Sequence, residues 1–278
     1  MRYHFKLLKL YVLLFLLSNI LASCNIVTVD NNPECIGKLY NYEKKLVKGG
    51  DFWITTYQKI TDRTKPFVFY IEGDGSPFRG KYRISRNPTP TRQVLLKLAT
   101  MDDRPNIVYV SRPCHYTPKE LNPKCKYHQY WTQWRLSDES VAALNQVINK
   151  VNNNQRFSLI GYSGGGGIAL LIAARNDMVK DIITIAGNLD HVTFTSHHEV
   201  TPMVGSLNPI DYALVIKHIP QLHISGGKDK RIPPFIADQY VTASNSRCVK
   251  HKMFPKVEHN YGWNKVWPYV LTLPVTCY

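Results

Sequence analysis

The chain has no Cys-x-x-Cys pair and no histidine–cysteine cluster at zinc-ligand spacing. A metal site of that kind is therefore not written into it. Its apolar run at residues 10–21 is of signal-peptide length and too short for a comfortable membrane span. Acidic residues are scarce, 20 against 35 lysines and arginines, for a net charge of +15. The basic residues are scattered, as in Lys44, Lys45, Lys48, Arg79, Lys81, Arg83 and Arg86. They form no stripe interleaved with aromatics, and there is no nucleic-acid module, which argues against a nucleic-acid partner. A solvated basic surface near anionic lipid or polysaccharide is the simpler account. What remains is ordinary: 278 residues, 44% hydrophobic and 20% charged, suit one large core in a single domain with insertions.

Residues 1–23 read as a secretory signal. Arg2, Lys6 and Lys9 precede the apolar run, which ends in Leu21-Ala22-Ser23-Cys24. That ending resembles the bacterial lipoprotein signal. The resemblance implies cleavage before Cys24, lipid attachment at its sulfur, and acyl chains enough for stable anchoring. The mature chain would then have 278 − 23 = 255 residues and a charge of 15 − 3 = +12. Residues 24–36 are expected to be a polar tether, with the folded domain at 37–278. Of six cysteines, Cys24 is assigned to lipid, leaving the odd set Cys35, Cys114, Cys125, Cys248 and Cys277. Export permits disulfides, and the local pairings Cys114–Cys125 and Cys248–Cys277 are the first to test.

The chain is organised around residues 157–167, FSLIGYSGGGG. A β-prone run leads into Gly161-Tyr162-Ser163-Gly164-Gly165, and a helix-compatible run follows at 168–174. Strand, tight turn with a serine, then helix is the context that makes a G-x-S-x-G match meaningful. The serine must stand on a strained turn with its hydroxyl free, and side chains at the flanking glycines would collide with strand or helix. A glycine-rich turn with Ser163 as filler is the bland alternative.

Other segments set this turn in a sheet. Residues 52–57 alternate and suit an antiparallel edge. Continuous apolar runs at 67–71 and 106–110 suit strands buried on both faces. Further strands are expected at 181–186, 220–225 and 248–254, and helices at 91–100, 137–151, 235–243 and 263–271. Ser137 is a credible N-cap, and Val141, Leu144, Val147, Ile148 and Val151 share one helix face. The alternation predicts an α/β fold with a mostly parallel sheet covered by helices on both sides. Residues 77–92 read as a loop over the site. Insertions fall at about 111–134 and 187–218. The first holds Tyr127, Tyr130, Trp131 and Trp134, an acyl or aromatic pocket lining or a local core. The second is a lid or loop.

Glu72-Gly73-Asp74-Gly75 follows the strand at 67–71. A Gly-x-Gly turn there lets backbone N–H groups face an oxyanion. Ser163, Asp229 and His259 follow in the order nucleophile, acid, base, 229 − 163 = 66 and 259 − 229 = 30 residues apart. Each sits just after an expected strand, where such sheets build their sites. With Gly226-x-x-Asp229, Ile232-Pro233 and His259 ahead of Gly262-Trp263, residues 60–275 resemble the α/β-hydrolase family. The resemblance implies the α/β-hydrolase fold with cap or lid insertions, a Ser163–His259–Asp229 triad, and an oxyanion hole from the N–H groups of Gly164 and Asp74. It implies no metal and no cofactor. The family often carries His-Gly where this chain has Glu72-Gly73, so a buried Glu72 needs a partner, for which an arginine of the following loop is the candidate.

Asp190 is the rival acid, and Asp211 a weaker one. His251 and His223 lie inside expected strands and are poorer bases. His197 and His198 lie in the lid segment without further ligands for a metal. The functional expectation is an exported, membrane-anchored serine hydrolase on a bacterial cell membrane. It would cleave a small-molecule carboxylic ester, or a thioester or amide, through an acyl-enzyme. A serine peptidase of the same fold and a non-catalytic binding lipoprotein are the alternatives.

Overall fold

The computed structural model describes residues 31–80 and 82–277. The signal segment and Cys24 lie outside the described residues. Among the latter, no helix is long and apolar enough to cross a membrane.

Strands β1 (Glu43–Gly49) and β2 (Phe52–Ile60) form an antiparallel hairpin at one edge. Strands β3 (Phe67–Ile71), β6 (Asn106–Val110), β7 (Phe157–Tyr162), β8 (Val179–Ile185), β9 (Gln221–Gly226) and β10 (Val249–Phe254) continue the sheet in parallel. The sheet order is β1-β2-β6-β3-β7-β8-β9-β10. A separate short hairpin, β4 (Phe78–Arg79) with β5 (Arg83–Ile84), stands in the loop after β3.

The apolar runs at 67–71 and 157–162 are continuous because both sides of the sheet are covered. On β3, Phe67, Phe69 and Ile71 face one core while Val68 and Tyr70 face the other. The period of two sorts them. Helices α3 (Asp138–Asn152), α4 (Gly164–Ala173) and α6 (Phe235–Ser244) cover the first face. Helices α1 (Pro33–Leu39), α2 (Val94–Thr100) and α7 (Trp263–Thr272) cover the second. Ser137 caps α3 as its sequence predicts, accepting from the Ser140 N–H.

Three elements differ from expectation. The end of the polar tether is helix α1: Asn32 caps it by accepting from Glu34 and Cys35, Pro33 starts it, and Ile36 is buried in the core. Helix α2 begins at Val94 rather than 91, because the Gln93 side chain bonds the Pro90 carbonyl and the Tyr116 hydroxyl instead of capping a turn. Helix α4 begins at Gly164, so its first four residues are glycines that read as turn in the sequence.

The insertion at 111–134 folds into short 3₁₀ turns stapled by Cys114–Cys125. Two of its four aromatics are local core, while Tyr127 and Trp134 are exposed. Tyr130 and Trp131 are buried, and Tyr130 packs edge-on against Phe52 and Trp134. Cys248 is bridged to Cys277, and Cys35 is also disulfide-bonded, so no described cysteine is free. Replacing Cys114 and Cys125 by serine is expected to lower stability by about 2–4 kcal/mol, since the bridge restrains the unfolded chain. Urea unfolding of the oxidised parent and the double variant checks it.

Candidate active site

Strand β7 delivers Ser163 at φ 53° and ψ −123°, a conformation few side chains adopt. The turn is held from three sides. Ser163 N–H donates to the Ile185 carbonyl, and the Ser163 carbonyl accepts from Gly166 and Asn188. The glycines are steric necessities. A Cβ on Gly161 would lie 2.3 Å from the Gly165 carbonyl oxygen, and one on Gly165 would lie 2.1 Å from that of Ile71. Gly164 opens helix α4, so its N–H has no partner within the helix.

Asp229 follows β9. Its Oδ1 accepts from Arg231 and Ile232 N–H groups at 2.8 and 2.9 Å, which orients the carboxylate. Its Oδ2 lies 2.8 Å from Nδ1 of His259. That contact favours the tautomer with the proton on Nδ1 and leaves Nε2 as an acceptor. The His259 backbone is pinned from two sides: its carbonyl accepts from the Tyr162 hydroxyl at 2.9 Å and from the Trp263 indole at 2.8 Å. Ser163, Asp229 and His259 all line one cavity of about 1730 Å³, together with parts of the β4–β5 hairpin and the segment around Met203.

The competing residues are engaged elsewhere. Asp190 caps helix α5 (His191–His197), accepting from Val192, Thr193 and Asn208. Asp211 is exposed in a 3₁₀ turn. His223 is buried, touches Thr184, and is held neutral by burial, which lowers its pKa to about 3. His198 bonds the Arg231 carbonyl and lines the cavity. Among the described residues no group of three or more His, Cys, Asp or Glu could hold a metal.

His251 forms a second serine–histidine–aspartate chain that the sequence did not suggest. Its Nε2 is 2.6 Å from Ser225 Oγ and its Nδ1 is 2.7 Å from Asp238. Ser225 is buried under α6, and neither it nor His251 lines the cavity, so this chain ties β9, β10 and α6 together.

The turn after β3 departs from expectation. Glu72 is buried, but its partners are the Tyr109 hydroxyl and the Gly73 N–H, each at 2.7 Å, not an arginine. Parallel pairing sets Tyr70 level with Tyr109, which carries the phenol to the end of β3. Gly73 N–H is thus committed to Glu72. The arginines go to Asp74, assigned from sequence only as a backbone donor: Arg112 Nη1 and Arg135 Nε lie 3.1 Å from its two carboxylate oxygens. The carboxylate also presses on the serine turn, since a Cβ on Gly164 would lie 2.0 Å from Asp74 Oδ1. Burial would raise the Asp74 pKa, but the charges of Arg135 and Arg112 more than reverse this and hold it below the carboxylate range. Both arginines lay unremarked in the sequence, because nothing near them in the chain marks them as partners of Asp74.

Burial pushes the Glu72 carboxyl up from 4.5 to about 7, against the opposing bonds from Tyr109 and Gly73. Between those values the folded state holds a proton that the unfolded state has lost. The contribution of Glu72 to stability therefore falls as pH rises through this window and is lowest above 7. Glu72→Gln, which resembles the protonated form, is expected to gain stability relative to the parent from pH 5 to pH 8. Urea unfolding at both pH values checks it.

No family model matches the chain. Solved structures do. The acylaminoacyl peptidase of Pyrococcus horikoshii aligns with a TM-score of 0.54 at 15% identity, over 80% of this chain and 39% of that one. A puromycin-hydrolyzing peptidase of Mycobacterium tuberculosis aligns at 0.57 and 17%, over 83% and 37%. An esterase of Pyrococcus furiosus aligns at 0.56 and 12%, over 84% and 90%. This chain thus spans about two fifths of the length of the two peptidases. With its mostly parallel sheet and the serine turn between β7 and α4, the chain has the α/β-hydrolase fold.

Proposed function

We propose that this chain is a serine hydrolase that cleaves a carboxylic ester through an acyl-enzyme. One observation carries the reading: the Asp229–His259 pair opens on the same cavity as a serine held in a strained turn. A serine hydroxyl is a poor nucleophile until a base takes its proton. Ser163 Oγ attacks the substrate carbonyl and passes its proton to His259 Nε2. The tetrahedral oxyanion is met by the N–H groups of Gly164 and Asp74, each worth a few kcal/mol. His259 returns the proton to the departing alcohol oxygen. Water then attacks the acyl-enzyme by the same route and releases the acid and the free serine. Asp229 steadies the imidazolium without taking the proton.

The esterase matched over 90% of its length supports an ester substrate. The peptidase reading rests on neighbours more than twice as long as the shared part. A binding protein would have no need for the strain at Ser163. A fluorophosphonate probe is expected to label Ser163, and Ser163→Ala or His259→Ala to abolish labelling and lower kcat at least about a thousandfold. A folded protein that stays unlabelled would sink the hydrolase reading.

Export is part of the proposal. The Cys114–Cys125 and Cys248–Cys277 bridges and the bonded state of Cys35 support an oxidising compartment. Anchoring through Cys24 competes with this chemistry. By count, Cys24 is the cysteine left over for Cys35, and a sulfur in a disulfide cannot carry a thioether-linked lipid. Intact mass and non-reducing peptide mapping of the exported protein decide between them. A mass increase of several acyl chains at Cys24 supports the anchor, and a Cys24–Cys35 peptide overturns it.

A further inference from the structure

Two buried guanidinium groups meet one Asp74 carboxylate beside the serine turn, so positive charge is in excess there. Both terminal nitrogens of Arg112 are used by protein, Nη1 on Asp74 and Nη2 on the Arg135 carbonyl, and its Nε is buried without a partner. Arg135 is not. Its Nε lies near Asp74 Oδ2 without the alignment of a hydrogen bond. Its Nη2 donates to the Met203 sulfur at 2.9 Å, a weak acceptor. No described protein group accepts from its Nη1. The Arg135 side chain is only 9% exposed, and it lines the cavity that holds Ser163. A desolvated guanidinium with spare donors is a strong site for an anion.

The other charges of the cavity agree with this position. Glu72 already accepts two bonds and does not reach Arg135. Arg92 is stacked on the Tyr261 ring at 4.6 Å. Lys228, Lys230 and Arg231 are exposed at the rim, where they outnumber Glu199 and Glu258 and draw anions inward.

We propose that Arg135 binds an anionic group of the substrate, a carboxylate or a phosphate, within a few bonds of the scissile carbonyl. The proposal rests on the serine-hydrolase reading and names its substrate class. Through Asp74, which touches both Arg135 and Gly164, the anion site lies next to the oxyanion donors.

Two measurements test it. The first uses the unaltered protein: fluorophosphonate labelling of Ser163 is timed in the presence of adipate, phenyl phosphate or neutral adipamide. The second compares kcat/KM for 4-nitrophenyl hydrogen adipate and 4-nitrophenyl hexanoate, in the parent and in Arg135→Gln. Adipate or phenyl phosphate should slow labelling where adipamide does not, and the more protective of the two identifies the anion. The anionic ester should be favoured about tenfold or more, a preference that falls towards parity in Arg135→Gln. If Ser163 is labelled but neither anion protects and the two esters react equally, the anion site is overturned and the hydrolase reading stands. If Ser163 is not labelled at all, both fall.

Discussion

The backbone crowding around Ser163 is the constraint on which the site depends. Strand β7 must end, turn and enter helix α4 within a space already occupied by the carbonyls of Ile71 and Gly165. Only glycine fits at 161 and 165, and the residue between them is forced to positive φ. The strain is contained by hydrogen bonds to Ile185, Gly166 and Asn188, so it is shared with the whole centre of the sheet. The placing of Ser163 on the cavity wall and the helix-opening N–H of Gly164 are consequences of that packing. The four glycines opening α4 belong to the same constraint. A Cβ on Gly166 or Gly167 would press on Gly187 or Asn188, and with their small surfaces the helix lies close against β8.

Charge is arranged around this turn with little access to water. Asp74 would be costly next to a developing oxyanion if it stood unpaired. Arg112, just after β6, and Arg135, just past the 111–134 insertion, neutralise it and leave positive charge to spare. Glu72, two residues earlier, is pushed towards its neutral form by burial, against the bonds from Tyr109 and Gly73 that favour the carboxylate. The same stretch of four residues thus carries one carboxyl that resists ionisation and one that is firmly ionised. Their environments, not their chemistry, separate them.

Much of the fold was legible because local rules and tertiary demands agreed. Continuous apolar runs at 67–71 and 106–110 became central strands, and Ser137 became a cap. The edge hairpin followed from alternation at 52–57. Boundaries failed where a side chain bonded something distant in sequence: Gln93 reaches Tyr116, so α2 starts late, and Ile36 reaches the core, so α1 begins before residue 36. The aromatic cluster at 127–134 was ambiguous for the same reason. Packing against Phe52 makes Tyr130 core, while Tyr127 and Trp134 stay exposed.

Sequence by itself determined the order of elements, the glycine-flanked serine, and an acid and a histidine after later strands. These are statements about chain order and local sterics, which a linear sequence records. Tertiary structure decided which acid meets which base. Asp229 and Asp190 are both aspartates after strands, but only Asp229 reaches His259, while Asp190 is used up as a helix cap. It also decided that Asp74 draws two arginines 38 and 61 residues away (112 − 74 and 135 − 74) while Glu72 takes a tyrosine. Strand pairing and burial set those partnerships, and neither is visible until distant segments are brought within a few ångströms of one another.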